Sequence, residues 1–310
     1  MAGIIDRLKY QFDGAPTLKR LIFINVGAFI TIQLVSVILL LFNINSMQWL
    51  SYVEVPSNLH VLPYRIWTLF TYMFVHNDLW HILFNMMWLY WFGTIFTQYF
   101  SQKHLGTLYV IGGLSGAALY LLSYNIFPYF ADKQGMMCGA SAAIMAIVFA
   151  TALRAPDYKV NLMFIGEVSL KYIAAFTIMI DLLSMTSANA GGHFAHIGGA
   201  LAGIAFGMYW KKGKDILQPI NYVIDKIVTW WNRPHIKIRK PRKKTTYRQP
   251  NSKPNTPYGS HQRPESDSEY NARKKREAEE IDRILDKVKK TGYSALTTEE
   301  KQTLFNAKKN

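Results

Sequence analysis

Residues 21–42 run without a single charged side chain. A helix that crosses roughly 30 Å of hydrocarbon needs about 20 apolar residues, so this run is long enough to do it. Five further apolar runs follow at 79–100, 105–127, 141–153, 170–187 and 194–210. Hydrophobic residues make up 50% of the chain and are gathered in these blocks rather than scattered. In hydrocarbon every backbone N–H and C=O must find its partner inside the protein, which leaves helices as the simplest spanning element. The fold expected is therefore an all-α integral membrane protein, multi-pass, with six transmembrane helices.

Charge placement sets the orientation. Residues 211–310 hold 25 of the 35 Lys and Arg and 12 of the 20 Asp and Glu, so +13 of the net +15 belongs to the tail. The N-terminus, the 101–104 turn, the 154–171 connection and the tail all carry Lys or Arg, whereas the long 43–78 connection has only Arg65. Positive residues stay on the cytoplasmic side, so both termini are expected in the cytoplasm. The first run follows Arg7, Lys9, Lys19 and Arg20 but is too long for a signal-peptide core and lacks a small-residue cleavage site, so it reads as a retained anchor. Cys138 is the sole cysteine, which excludes an intramolecular disulfide and a cysteine metal cluster.

Four segments are expected. Residues 1–20 form a cytoplasmic amphipathic lead-in and 21–210 the membrane domain. Residues 211–264 form a basic linker, disordered because its stretch 234–264, rich in Pro, Lys, Arg, Ser and Asn, cannot bury enough apolar area. Residues 265–310 form a short cytoplasmic helical hairpin. In that last segment Ile281, Ile284, Leu285 and Val288 make one helical stripe, Gly292 would end it, and Thr297 with Glu300 is a capping-box pattern for a second helix. The long 43–78 connection, with Trp49, Tyr52, Tyr64 and Trp67, suits the headgroup layer.

Polar groups inside spans are expensive and mark function. They are His81 and Asn85 in the second run, Ser141 in the fourth, Asp181 in the fifth, and His193 and His196 around the start of the sixth. His81 and Asn85 are four apart and share a helix face. The even-numbered spans run from outside to inside, so Ser141, His81 and His196 begin at one depth. Run 141–153 is too short for a full crossing, so its start must be sunken, next to small residues that let a loop dip inward. A serine there can act as nucleophile, with a nearby histidine as base and then acid. The Asn85 amide, the His81 ring and free backbone N–H groups can donate to an oxyanion. No buried acid is demanded.

Gly139–Ala140–Ser141, the AHIGG at 195–199, the HILFN at 81–85 and the RIWTLFTYMFVH at 65–76 together resemble the rhomboid intramembrane serine proteases, over about residues 15–210. The resemblance, of the bacterial type with a cytoplasmic C-terminal extension, implies a six-helix rhomboid bundle in a bacterial inner membrane. It implies Ser141 as nucleophile and His196 as its partner in a dyad, with His81 and Asn85 at the oxyanion. It also implies supporting roles for His76, Gly139, Arg65 and Trp67, with Gly199 and Gly203 as helix-packing glycines. Substrates would be transmembrane proteins cleaved near the outer face, without metal or cofactor. Two positions depart from the pattern. Ala142 replaces the glycine after the serine, which would tighten span four against span six or alter the nucleophile turn. Met145 stands where a tyrosine often stacks on the histidine.

Other readings stand beside this one. Ser141 alone would be a packing residue, since small side chains let membrane helices approach. The histidines lack the HExxH glutamate of metalloproteases, so no metal is expected, and His193 reads as an interface residue. Asp181 is either a third catalytic member or a proton relay, or a hydrogen-bonding group within the bundle, the last being preferred. The basic tail suits anionic headgroups better than nucleic acid. A transporter would call for internal repeats, which are absent. The rival function is a catalytically inactive rhomboid-like protein that binds or escorts membrane proteins.

Overall fold

The computed structural model describes residues 3–162, 165–187, 189–231 and 267–307. It divides into two compact units, Met1–Ile236 and Lys237–Asn310. In the first unit every apolar run is helical. After α1 (Ile4–Asp13) come α2 (Thr17–Leu41), then α3 (Ser46–Leu50) and α4 (Thr68–Thr71) in the long connection, then α5 (Leu79–Tyr99), α6 (Gln102–Ile126), α7 (Ser141–Arg154), α8 (Leu170–Leu183) and α9 (Ala190–Lys211). Helices α2 and α6, at 25 residues each, are long and apolar enough to cross a membrane. Large apolar side chains lie exposed on α2 (Leu34, Leu40), α5 (Trp80, Phe84) and α8 (Phe176, Leu183). Apolar surface on this scale is unusual where only water covers a protein.

Local chemistry fixes where the helices start. Asp78 caps α5 by accepting from the His81 N–H at 2.9 Å, and Ser101 caps α6 by accepting from the His104 N–H at 3.3 Å. Each cap satisfies a backbone donor that has no partner inside the helix.

Helices α6, α7 and α9 pack against one another most closely, and every residue from 142 to 152 of α7 is buried. Glycines permit this approach. A Cβ on Gly203 would lie 2.9 Å from the Ala146 Cα, and one on Gly116 would lie 2.5 Å from the Ala142 Cβ. The 14 residues of α7 reach about 21 Å at 1.5 Å per residue, short of a full crossing of roughly 30 Å.

The all-helical expectation is corrected in two places. Strand β1 (Val55–Pro56) pairs antiparallel with β2 (Met136–Met137), with Val55 opposite Met137. Strands β3 (Lys159–Leu162) and β4 (Gly166–Ser169) form a second antiparallel pair between α7 and α8. Both pairs satisfy backbone groups in connections, where no helix does so. The first ties the 43–78 connection to the segment just before α7.

The segment drawn as a linker, 211–264, also differs, because α10 (Gln218–Trp231) lies within it. Polar pins hold this helix to α6. Asp215 accepts from the His104 Nε2 at 2.8 Å, Thr107 donates to the Asn221 Oδ1 at 2.5 Å, and Lys103 pairs with Asp225. An average composition hides such individual partners. All of 234–264, including the basic run 237–244, lies outside the described residues.

The second unit holds α11 (Asp267–Thr291) and α12 (Thr298–Ala307). Gly292 ends α11 with φ +81°, a conformation that favours glycine. Thr297 and Glu300 make the expected reciprocal cap, and Lys287 donates to both Glu300 oxygens at 2.9 Å. Ile284 and Leu296 are buried between them.

Candidate active site

The start of α7 opens into a cavity of about 780 Å³ whose lining includes Trp80, His81, Asn85, Ser141, Asp181 and His196. Ser141 is the first residue of α7, after a bend at Gly139 with φ +120°. The Gly139 N–H donates to the Tyr72 carbonyl at 2.9 Å, and Tyr72 in turn donates its hydroxyl to the Gly113 carbonyl at 2.6 Å. The turn is thereby hung from the long connection on one side and from α6 on the other. Glycine is required at 139 on two counts. Its φ disfavours a side chain, and a Cβ there would lie 2.8 Å from the His81 Nε2 and 3.7 Å from the Ser141 Oγ. His81 and Ser141 therefore crowd the same spot from two elements.

Helix α9 supplies the partner. The His196 Nε2 lies 2.7 Å from the Ser141 Oγ, a hydrogen bond between residues 55 apart in the chain. The two helices are in close contact at this level. One turn along α9 from His196, Gly199 faces Ala142, and an added Cβ would lie 2.7 Å from the Ala142 carbonyl carbon.

The Asn85 side chain donates to the His81 carbonyl at 2.9 Å, one turn back on α5. An amide nitrogen carries two hydrogens, so one remains for a ligand in the cavity. His76, 1% exposed, packs edge-on against the His81 ring with centroids 5.0 Å apart. Burial, with the neighbouring His81, lowers its pKa to about 4, so it is a neutral wall behind His81 at ordinary pH. Cys138 donates to the Asn77 Oδ1 at 3.0 Å, and burial, with Glu54 nearby, pushes its thiol up to about 12. It is a protonated neighbour of the serine and not a second nucleophile.

Arg65 is not among the residues that line this cavity. It donates to the Ser51 carbonyl at 2.8 Å and to the Ser51 Oγ at 3.0 Å, with its guanidinium 4.1 Å from the Tyr52 ring centroid. Trp67 donates to the Tyr52 carbonyl at 2.7 Å, so both brace the 43–78 connection. Ala142 is also placed differently from expectation. Its methyl faces Gly116 of α6, where the glycine leaves space for it, while its backbone faces Gly199 of α9. Met145 is buried and lines the cavity.

His193 has a partner that the sequence reading did not assign to it. Its Nδ1 lies 2.8 Å from the Asp181 Oδ1, and the His196 Nδ1 lies 2.8 Å from the same oxygen. The signal was in the chain order. Asp181 falls two residues before the end of α8 and the histidines in the first turns of α9, so adjacent helix ends bring them together. The ligating atoms of the three lie within 4.8 Å of one another, close enough to hold a metal ion. Hydrogen bonds already engage each of them: Asp181 accepts from both rings, and the other His196 nitrogen is taken by Ser141.

A hydroxyl bonded to an imidazole, at a glycine-turned helix start inside a helical bundle, is the geometry of an activated serine. Comparison with known sequences gives the class a family. Residues 63–212, just under half of the chain, match the rhomboid domain, which is a domain of integral membrane proteins. Residues 265–307 match a family of unknown function, DUF6576. RHOMBOID-like protein 12, mitochondrial, of Arabidopsis thaliana is 33% identical over 162 residues, covering 48% of each chain. RHOMBOID-like protein 1 of the same plant is 28% identical over 47% of this chain and 35% of that one. Rhomboid protease GlpG of Salmonella paratyphi A is 28% identical over 51% of this chain and 52% of its own. The chain thus spans about a third to a half of the length of these curated relatives.

Proposed function

We propose that this protein is an intramembrane serine endopeptidase that cleaves transmembrane proteins near the outer face of the membrane, with six spans and both termini in the cytoplasm. The observation that carries the reading is the 2.7 Å bond between the Ser141 Oγ and the His196 Nε2 at the cavity. Ser141 attacks the scissile carbonyl carbon while its proton passes to His196. The oxyanion takes hydrogen bonds from the Asn85 amide, the His81 ring and the N–H groups of the first turn of α7, which lack partners within the helix. His196 returns the proton to the leaving amine, and water then releases the acyl group by the same route. Trp80, Phe84 and Trp88 give the cavity an apolar wall suited to a substrate helix end. The basic tail suits anionic headgroups.

The two departures from the family pattern, Ala142 and Met145, favour the inactive binder slightly, and the weight of Ala142 is reduced because its methyl has its own space at Gly116. Covalent labelling of the membrane-embedded protein with a serine-directed fluorophosphonate separates the two. Labelling that disappears in Ser141→Ala and His196→Ala is expected of the protease. Absence of label in folded wild type is expected of the binder.

A further inference from the structure

We propose that Asp181 is a positioning residue for His196, so that the serine and histidine pair works as a three-membered relay whose acid is shared with His193. This rests on the protease reading above. Asp181 is 4% exposed, on a helix that buries no other carboxylate among its described residues. A carboxylate in such surroundings is costly unless hydrogen bonds compensate it. Two do. Both reach one oxygen, Oδ1, at 2.8 Å from the Nδ1 atoms of His193 and His196.

A carboxylate oxygen can only accept, so each of these Nδ1 atoms carries the hydrogen. In a neutral imidazole the other nitrogen is then the acceptor. For His196 that nitrogen is Nε2, which faces the Ser141 hydroxyl at 2.7 Å. Asp181 thus selects the tautomer that can take the serine's proton and fixes the plane of the ring. When the proton arrives, the positive charge forms one hydrogen bond away from a buried negative one, which stabilises the charged intermediate state. No atom of Asp181 needs to touch substrate.

His193 has a different part. Its bond holds the carboxylate in one rotamer without reaching Ser141, so Oδ1 stays aimed when the His196 ring shifts during proton transfer. The chain builds this from two helix ends, with Asp181 on the last turn of α8 and both histidines on the first turns of α9.

Fluorophosphonate labelling, resolved into kinact and KI, tests the role on full-length protein in detergent. Asp181→Asn should lower kinact roughly 10²- to 10⁴-fold with KI within about twofold, because an amide N–H facing Nδ1 favours the wrong tautomer. Asp181→Ala should fall no further, since it leaves the ring free to choose. A purely structural acid predicts the reverse order, with the cavity left by alanine doing more harm than the isosteric amide. His193→Phe should lower kinact by about tenfold, the worth of one hydrogen bond on a retained acid.

A second readout is independent of turnover. In ¹⁵N-histidine-labelled protein the His196 Nδ1–H should resonate far downfield and vanish in Asp181→Asn. Wild-type kinetics in Asp181→Asn, or no downfield proton in wild type, overturns the proposal while the serine protease reading stands. A folded wild type that takes no label overturns that reading and the positioning role with it.

Discussion

Gly199→Ala tests whether helix contact sets the reactive distance. The added Cβ would overlap the Ala142 carbonyl oxygen and lie 2.7 Å from its carbon and 3.1 Å from the Ala142 Cα. Carbon atoms rest at about 3.5–4.0 Å, so α7 and α9 must separate by roughly 1 Å at this level. The obstacle is backbone and cannot swing aside. Ala142 adjoins Ser141, and His196 is one turn from Gly199, so the 2.7 Å bond between Oγ and Nε2 takes up most of that movement. Stretched by about 1 Å it passes the limit of a hydrogen bond. Overpacking of this kind costs roughly 1–3 kcal/mol of stability, and a 1 Å misplacement costs about 10² in rate. The assay pairs thermal unfolding in detergent with the fluorophosphonate labelling rate, using Gly27→Ala as control, where a Cβ meets nothing within 4 Å. Gly27→Ala should leave both unchanged or raise the melting temperature slightly. If Gly199→Ala labels at the wild-type rate and unfolds at the same temperature, helix contact does not set the reactive distance.

Further outcomes can be checked with the same protein. Gly139→Ala, with φ +120° and a Cβ 2.8 Å from the His81 Nε2, should lose at least about tenfold in labelling rate even where the fold survives, and wild-type labelling would disprove the need for glycine there. Ala142→Gly should change the labelling rate by less than about twofold while lowering stability by up to ~1 kcal/mol, the helix-propensity cost. A large gain in activity would show that the methyl hinders the site after all. Cys138, with its thiol pushed up to about 12, should react with iodoacetamide at pH 8 about 10³-fold more slowly than an unfolded-chain cysteine, as followed by mass spectrometry. Glu300 is held below the usual carboxylate range by its hydrogen bond from Lys287, so its stabilisation of α11 and α12 is full above about pH 5 and is lost as pH falls through its lowered value. Hydrogen-exchange protection factors of residues 267–307 in the full chain, corrected for the intrinsic pH dependence of exchange, should fall on acidification, and Glu300→Gln should remove most of that fall.

The membrane helices were legible because each is written as one long apolar run of adjacent residues, and length alone decides whether such a run can cross hydrocarbon. The strand pairs were not. Val55 meets Met137 across more than eighty residues, and nothing in a two-residue strand distinguishes it from any other apolar pair. Helix α10 was missed for a related reason. Its anchors, Asp215, Asn221 and Asp225, look like surface residues of a basic tail until their partners on α6 are known.

The meeting of Ser141 and His196 followed from depth, because helix starts in the same leaflet are comparable without coordinates. The same logic reached Asp181 and was not carried through, since it compared only the starts of spans that run inward. A span that runs outward presents its end at that depth. Asp181 near the end of α8 and His193 and His196 near the start of α9 satisfy the condition as fully as Ser141 does. The residue identities could not say which histidine the acid serves, and the geometry answers that it serves both through one oxygen. A dyad needs only a base at the serine. A second imidazole bonded to the acid behind that base is not needed by a dyad, and the order of loss in Asp181→Asn and Asp181→Ala is what separates an acid that only packs from one that aims, with the smaller loss in His193→Phe reporting the second bond to the same oxygen.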